Sequence, residues 1–305
     1  MTRLSRIALP VLLASLFSLT GCSSGPSIIK EFNKELSVSG PIRLELSNVA
    51  GDVQISGSAN GKVRVHGSVK STGMHFGDAQ KTIDEIVANP PVELKMGTVR
   101  IGKENSRFRN VSISYTIEVP RDTEISSSVI SGSQTVSGVV GPAKIETASG
   151  WVRLDKIARN VQVNALSGAI EVSNVDDDVH ANSASGSVKV LNAKGDVRVV
   201  TLSGKISVTN PGGRVEASNA SGTISIVGAN NDVKAHTASG GVDVAGNPSS
   251  NGYWDIQNTS GAITADIPLV IEEQGKHTLR AHVGDGGGRV EINSISGKIH
   301  ITSSK

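Results

Sequence analysis

The sequence predicts an all-β chain, a parallel β-solenoid (β-helix) with 18-residue coils and one short helix near residues 78–88. Three observations predict this fold. Ser-Gly pairs recur every 18 residues, aliphatic residues alternate with polar ones twice in each period, and only 3% of the residues are aromatic. A repeat of fixed length is typical of solenoids, because every coil must trace the same cross-section.

The Ser-Gly pairs set the period. They start at Ser131 and continue in steps of 18 through Ser149-Gly150, Ser167-Gly168, Ser185-Gly186, Ser203-Gly204, Ser221-Gly222 and Ser239-Gly240, with further pairs at Ser260 and Ser296. We expect each pair to mark a structural corner, since glycine adopts a positive φ without strain. Serines repeated in this way are expected to stack as ladders, so they do not indicate a nucleophile.

Two short strands fit into each period, because aliphatic side chains recur three, five, twelve and fourteen residues after each serine. An antiparallel meander with Ser-Gly at the hairpin tips would also accommodate two strands. A meander has no reason to keep one period, however, since its hairpins can differ in length, and the solenoid is therefore favoured. Coils stacked about 4.8 Å apart leave little room for rings, which explains the shortage of aromatic residues.

The chain before the regular repeats is less periodic. We predict that residues 31–130 form an irregular first part of the β domain and that residues 131–305 form the regular 18-residue repeats. Residues 78–88 place Ile83, Ile86 and Val87 on one helical face, and Asn89-Pro90-Pro91 ends the segment. The helix is expected to cover a side or an end of the solenoid.

The first 21 residues are predicted to be a signal peptide. Arg3 and Arg6 precede the apolar run Ile7–Leu19, and small residues follow it. This run is shorter than the roughly 20 residues that a membrane-spanning helix needs. Residues 22–30 are expected to be the lipidated N-terminus and a short linker.

The segment Leu19-Thr20-Gly21-Cys22 resembles the lipobox of bacterial lipoproteins. The resemblance implies cleavage between Gly21 and Cys22 and acylation of Cys22, which then anchors the chain in a membrane. Two or more acyl chains give stable anchoring, whereas one is marginal. Ser23 resembles the residue of lipoproteins sorted to the outer membrane, which implies a cell-envelope location in a Gram-negative bacterium.

Composition excludes several classes of function. Loss of residues 1–21 removes Arg3 and Arg6 and no acid, so the formal charge falls from +2 to zero. A neutral chain with few aromatic residues is not expected to bind nucleic acid. One cysteine excludes an internal disulfide and a thiolate-rich metal site. We expect no cofactor and no metal, and we interpret the mixed-sign outward columns as solvated walls.

Searching for catalytic residues gives weak candidates. His277 and His282 flank a strand, Asp176–Asp178 occupies a turn, and Trp151 stands alone in its column as a sugar-stacking candidate. Acidic residues are common in turns for backbone reasons, and no clustered carboxylates indicate a glycosidase. We therefore predict that the chain is not an enzyme.

A family resemblance rests on Val111–Thr123 (VSISYTIEVPRDT) followed by repeated Ser-Gly-x-Val-x-Val units. Together they resemble the bacterial β-strand-repeat family labelled "putative adhesin", a domain of unknown function. The resemblance implies a β-solenoid at the cell surface or in the envelope. Together with the lipobox and the lack of clustered catalytic residues, it leads us to expect a non-enzymatic, lipid-anchored envelope protein that acts as an adhesin or scaffold and binds a protein or polysaccharide. Two alternatives stay open: a carbohydrate-active β-helix enzyme, and a protein that assembles end to end through strand edges near Lys298–Thr302.

Overall fold

The computed structural model describes residues 28–71, 76–102, 110–246, 252–282 and 287–303. In this part of the chain 27 strands form two long sheets, one of 13 strands and one of 14, with a single helix beside them. Most neighbouring strands are parallel, and each coil contributes one strand to each sheet. The predicted all-β parallel solenoid with one short helix is therefore confirmed.

The N-terminal part contains seven strands and the helix. Their bounds are β1 (Ile29–Ser37), β2 (Arg43–Ala50), β3 (Val53–Ser58), β4 (Lys62–Ser71), α1 (Phe76–Ala88), β5 (Val92–Lys95), β6 (Thr98–Ile101) and β7 (Val111–Pro120). Helix α1 buries Ala79, Ile83 and Ile86 and packs on β1, β4 and β7. It thus covers the strands at the N-terminal end of the stack.

The regular part contains seven successive coils. Their strands are β8 (Glu124–Ser131), β9 (Gln134–Val139), β10 (Ala143–Ser149), β11 (Val152–Ile157), β12 (Val161–Ser167), β13 (Ile170–Val175), β14 (Val179–Ser185), β15 (Val188–Ala193), β16 (Val197–Ser203), β17 (Ile206–Thr209), β18 (Val215–Ser221), β19 (Ile224–Ala229), β20 (Val233–Ser239) and β21 (Val242–Gly246). From one of these coils to the next, paired residues are 18 positions apart, as Val163 and Ala181 are. The fixed register stacks equivalent positions, so the interior consists mainly of columns of aliphatic residues, with one polar column that contains Thr147, Ser183, Thr201, Asn219 and Thr237.

The C-terminal part contains six further strands. They are β22 (Tyr253–Ser260), β23 (Ile263–Ala265), β24 (Val270–Gln274), β25 (Thr278–His282), β26 (Arg289–Ser296) and β27 (Ile299–Ser303). Strands β24 and β25 are antiparallel and extend the 14-stranded sheet past β22.

One corner of every regular coil is a glycine at which no side chain fits. Gly150, Gly168 and Gly186 have φ of 137°, 121° and 132°. A Cβ on each would overlap the carbonyl oxygen of the corner glycine one coil earlier. The amide of Gly168 donates to the carbonyl of Ser185 at 3.1 Å, so the corners are also joined by hydrogen bonds. The backbone packing at this corner therefore requires glycine.

A second corner uses the left-handed backbone region without requiring glycine. Asn174, Asn192 and Asn210 have φ between 51° and 54°, in a column that also contains Lys156. Asn tolerates this region better than most residues. The side-chain Nδ2 of Asn192 donates to Oδ1 of Asn174 at 3.0 Å, and Nδ2 of Asn210 donates to Oδ1 of Asn192 at 3.2 Å. These side chains form a ladder that the period alone does not predict.

Both ends of the stack depart from chain order. Coil β26/β27 lies between β20/β21 and β22/β23, so the last coil of the chain is inserted inside the stack. Coil β2/β3 is likewise enclosed between β6/β7 and β8/β9. The expectation of free strand edges near Lys298–Thr302 is wrong, because β27 pairs with β21 on one side and β23 on the other.

The two fully buried rings of the described core lie in these end coils. Tyr115 is on β7 and Trp254 is on β22, each in the outer coil beside an inserted one. Each ring has a parallel coil on one side only. On the other side an antiparallel strand completes the packing, β4 beside β7 and β25 beside β22, and helix α1 also packs on β7. Large side chains therefore occur where the regular stacking distance no longer limits their size.

We predict that Gly186→Ala lowers the free energy of unfolding by at least about 3 kcal/mol, because it adds left-handed strain to a backbone overlap. Gly40→Ala is the matched control, since Gly40 has φ of 80° and a Cβ added there would have no atom within 4 Å. It should cost about 1 kcal/mol, the strain alone. Urea unfolding followed by circular dichroism measures both losses. Equal losses would show that the overlap does not matter.

Candidate functional site

An unusual row of exposed aliphatic side chains runs along the outer face of the 14-stranded sheet. Its members precede the serine, or the equivalent Ala50, at the end of each strand. In stack order this aliphatic row consists of Val49, Ile130, Ala148, Leu166, Ala184, Leu202, Ala220, Ala238 and Ile295. The position lies just before the corner, and its side chain points outward because the preceding residue, such as Ala165 before Leu166, is the inward member of the strand alternation.

The large members of the row are well exposed. The exposed fractions are 63% for Leu166, 62% for Leu202, 60% for Ile295 and 56% for Ile130. Single exposed leucines are common, but contiguous exposed apolar surface in a folded domain marks a binding surface more often than not. The row is contiguous because its members lie on adjacent strands about 4.8 Å apart.

Two grooves follow the row. One of 570 Å³ extends from Ile130 to Leu202, and its walls are mostly apolar. The other, of 400 Å³, extends over Ser218, His236 and Ile295 and is more polar. Both lie on the same sheet face, so the surface forms an elongated site rather than a deep pocket.

Beside the aliphatic row lies a middle row of side chains that are polar except for Val200, and several of them contact one another along the stack. Asn182 donates to Oδ1 of Asn164 at 3.0 Å. His236 and Asn293 lie 3.3 Å apart through Nδ1 and Nδ2. Because the strands are locked in register, these groups are presented on a fixed spacing, which suits an extended partner better than a compact ligand.

Farther from the corner, the same face carries a charged row. Arg198 pairs with Glu216 at 2.9 Å, and Lys234 lies 3.8 Å from Glu291. Lys144 lies 2.9 Å from Glu146 of the middle row. The charges are thus largely compensated within the face.

The opposite face, on the 13-stranded sheet, has its own compensated charges. Glu171 accepts from Arg153 at 2.8 Å and lies 3.5 Å from Lys189. The hydrogen bond from Arg153 holds the pKa of the Glu171 carboxyl below its usual range. This geometry matches the interpretation of the mixed-sign columns as solvated walls.

The repeat-corner residues lie beside the aliphatic row. The corner serines from Ser149 to Ser239 are exposed at the strand ends, and the glycines after them form the backbone contact described above. They support the edge of the site without offering a reactive group. The predicted lipidation residue Cys22 and its neighbour Gly21 lie outside the described residues.

The weaker chemical candidates have structural partners. Nδ1 of His277 lies 2.9 Å from the carbonyl oxygen of Asn258, and Nδ1 of His282 lies 3.3 Å from Glu272. Oδ1 of Asp178 accepts from the amide of Asp196 at 2.7 Å, which gives the acidic turn a role in joining coils. Within the described ranges, no group of three or more His, Cys, Asp or Glu could hold a metal ion.

Trp151 also has a partner, since the guanidinium of Arg153 lies 4.3 Å from the centre of its ring. The ring face considered for sugar stacking is therefore covered by a cation on one side.

Sequence reasoning missed the aliphatic row, although its signal is present. The residue before successive Ser-Gly pairs alternates between large and small, as Ile130, Ala148, Leu166, Ala184 and Leu202 show. This alternation has a period of 36 residues, twice that of the fold. Packing of the core requires only the 18-residue period, so the 36-residue period indicates a requirement of the surface.

Comparison with known proteins agrees with the fold. The family model described as Toastrack DUF4097 matches residues 43–302. No curated protein matches the chain.

Several solved structures match most of the chain at low sequence identity. A "putative cell adhesion protein" from Clostridium sporogenes is 14% identical and covers 90% of this chain and 100% of its own, with a TM-score of 0.28. A "putative adhesin" from Bacteroides fragilis is 13% identical, with coverage of 89% and 97% and a TM-score of 0.41. A "putative lipid binding protein" from Parabacteroides distasonis is 10% identical, with coverage of 89% and 96% and a TM-score of 0.33.

We predict that Glu171→Gln lowers the free energy of unfolding at pH 7 by less than about 1 kcal/mol, because the pair with Arg153 is at the surface. A carboxyl whose pKa is lowered in the fold stabilises above its unfolded pKa and loses that contribution as the pH falls through the folded pKa. The difference between the variant and the parent should therefore vanish in acid. Urea unfolding at pH 7 and pH 3 measures it, with Asp122→Asn, at an exposed turn, as control. A difference that does not shrink between pH 7 and pH 3 would contradict an ionic origin.

Proposed function

The chain belongs to the Toastrack DUF4097 family, and from that premise we propose that it is a lipid-anchored, non-enzymatic binding protein of the cell envelope. In this role it is an adhesin or scaffold that holds a protein or polysaccharide partner along the outer face of the 14-stranded sheet. An adhesin role is the one ascribed to the similar proteins from Clostridium sporogenes and Bacteroides fragilis.

One observation carries the proposal. The face is polar and charge-compensated except for the aliphatic row, whose leucines and isoleucines are more than half exposed. Keeping such side chains in water has no benefit for the fold, since smaller residues occupy the same position in other coils. Their presence is accounted for if a partner covers them.

Rigidity supports the same role. Parallel strands in an unbroken 18-residue register fix the spacing of the face along its length. A preorganised surface loses little conformational entropy on binding, so a modest contact area can give useful affinity. A scaffold or adhesin needs this property more than it needs a deep pocket.

The proposed membrane anchor is Cys22, in a lipobox-like segment that ends a predicted signal peptide. Among the described residues no helix has the length and apolar character needed to cross a bilayer. An acylated Cys22 would attach the solenoid to a membrane, in our proposal the outer membrane of a Gram-negative bacterium.

The non-enzymatic part of the proposal is supported by how the acids are used. Glu171, Glu216 and Asp178 are engaged by a cation or a backbone amide of an adjacent coil. None of these three faces a second carboxylate across a cleft, the arrangement that glycoside hydrolysis needs. The proposal requires neither a cofactor nor nucleic acid.

We predict that Cys22→Ala abolishes lipidation and membrane attachment, because the thiol is the proposed acylation site. Cells fed a labelled fatty acid should label the parent chain and leave the variant unlabelled, and the variant should move to the soluble fraction. Ser23→Ala is the control and should still be labelled. Labelling of the Cys22→Ala chain would contradict the anchor.

We predict that the double variant Leu166→Asn and Leu202→Asn reduces capture of the natural partner at least about tenfold, since two exposed anchors of the face are lost. Crosslinking in intact cells followed by mass spectrometry measures the capture. Val140→Asn is the matched control, because Val140 is exposed but lies outside the aliphatic row. Undiminished capture by the double variant would place the binding surface elsewhere.

A further inference from the structure

We propose that the aliphatic row is the interface of a symmetric dimer, in which the outer faces of the 14-stranded sheets of two copies pack together with their stacks antiparallel. This rests on the proposed function, because it identifies the partner of the same face as a second copy of the chain. The alternation of large and small residues along the row is the observation from which it starts.

The row resembles a series of knobs and holes. Leu166 and Leu202 are large and project into solvent, whereas Ala148 and Ala184, on the strands beside them, are small and only partly exposed. Strands are about 4.8 Å apart, so knobs on alternate strands are about 9.6 Å apart with a hole between them. A flat apolar partner would leave the holes empty, whereas a surface with the same alternation fills them.

A two-fold axis between β12 and β14, parallel to the strands, brings knobs onto holes. This rotation reverses the order of the strands, and each row then faces the same row of the second copy. Leu166 then faces Ala184 of the second copy, Leu202 faces Ala148, and Ile130 faces Ala220. Moving the axis by half a strand spacing superposes Leu166 on itself, so the alternation selects the position of the axis.

The match extends to the end of the row. The same operation places Val49 opposite Ala238, so the four large residues from Val49 to Leu202 all face alanine. In the middle row it places Asn164 opposite Asn182, whose amides can pair across the interface. The charged row does not select the arrangement, because the operation sets Glu45 opposite Lys234 but also Lys144 opposite Arg198; each of the latter two cations has an acidic partner in its own chain at 2.9 Å. Ile295 lies one strand beyond the paired stretch.

The size of the face is adequate for a dimer. Eight strands at about 4.8 Å and seven residues at about 3.3 Å give roughly 38 Å by 23 Å, or about 900 Å² per copy. Stable interfaces bury about 800 Å² per partner. Aligned sheets pack about 10 Å apart, a distance that a leucine over an alanine fills.

The test places a photo-crosslinking amino acid at Gln162, an exposed charged-row position near the axis, in the full chain in a Gram-negative host. Irradiation should give a product of twice the chain mass that contains this chain alone. The same probe at Lys189, on the 13-stranded sheet, should not give it.

Four chains then test the geometry: the parent, Leu166→Ala, Ala184→Leu and the double variant. Ala184→Leu sets knob against knob and should reduce the product at least about tenfold, and Leu166→Ala should reduce it less. The double variant exchanges knob and hole on both sides of the axis, so it should restore the product. If the faces associated through nonspecific apolar contact, the Ala184→Leu chain would instead give more of the crosslinked product, because its apolar surface is larger.

The outcomes separate this inference from the proposed function. A crosslink from Gln162 to a different protein or to a polysaccharide overturns the dimer and leaves a binding face in place. No crosslink overturns both the dimer and the binding face, while fatty-acid labelling still reports on the anchor. A dimer unaffected in all three variants overturns the knob-and-hole geometry.

Discussion

The structure depends on the close approach of backbones at the Ser-Gly corner. Each corner glycine lies against the carbonyl of the one before it, and the series runs from Gly51 through Gly132 to Gly240, then Gly297 and Gly261. No side chain can enter this line, so every coil of the stack must bring a glycine to it. In the regular part the coils do so every 18 residues, and the contact aligns every other column, including the aliphatic row.

The same contact explains how the inserted coils are accommodated. Gly297 and Gly261 make the corner contact in stack order rather than chain order, so the last coil fits between two others without disturbing the line. The inserted coils β2/β3 and β26/β27 are each paired on both sides. They cannot fray from an open edge, and the edges that remain belong to β1, β5, β23 and β24. Edge strands invite unwanted pairing, and β1 carries Lys30, Glu31, Lys34 and Glu35, charges that discourage it.

The sequence specified the period, the two strands per coil, the glycine corner and the helix, because each depends on local chemistry that repeats. It did not specify the order of the last coils, since Ser260-Gly261 and Ser296-Gly297 fit either position equally well. It also left the left-handed Asn192 column unrecognised, because that position holds Lys156 in one coil and Gly228 in another. The residues of the aliphatic row are present in the sequence, but the sequence alone does not show that the side chains of Leu166 and Leu202 point outward.

The outer faces of the 13-stranded and 14-stranded sheets belong to the same stacked coils, and they differ in one respect. On both, charged side chains such as Glu171 and Glu216 are compensated by the neighbouring coil, which is what a wall in water requires. The aliphatic row on the 14-stranded sheet carries no charge, and from Ile130 to Leu202 its large residues lie on every second strand. A stack whose fold needs a period of 18 has no internal reason to carry one of 36. A surface that must fit its own copy does, because a knob can be accommodated only where the facing strand leaves a hole.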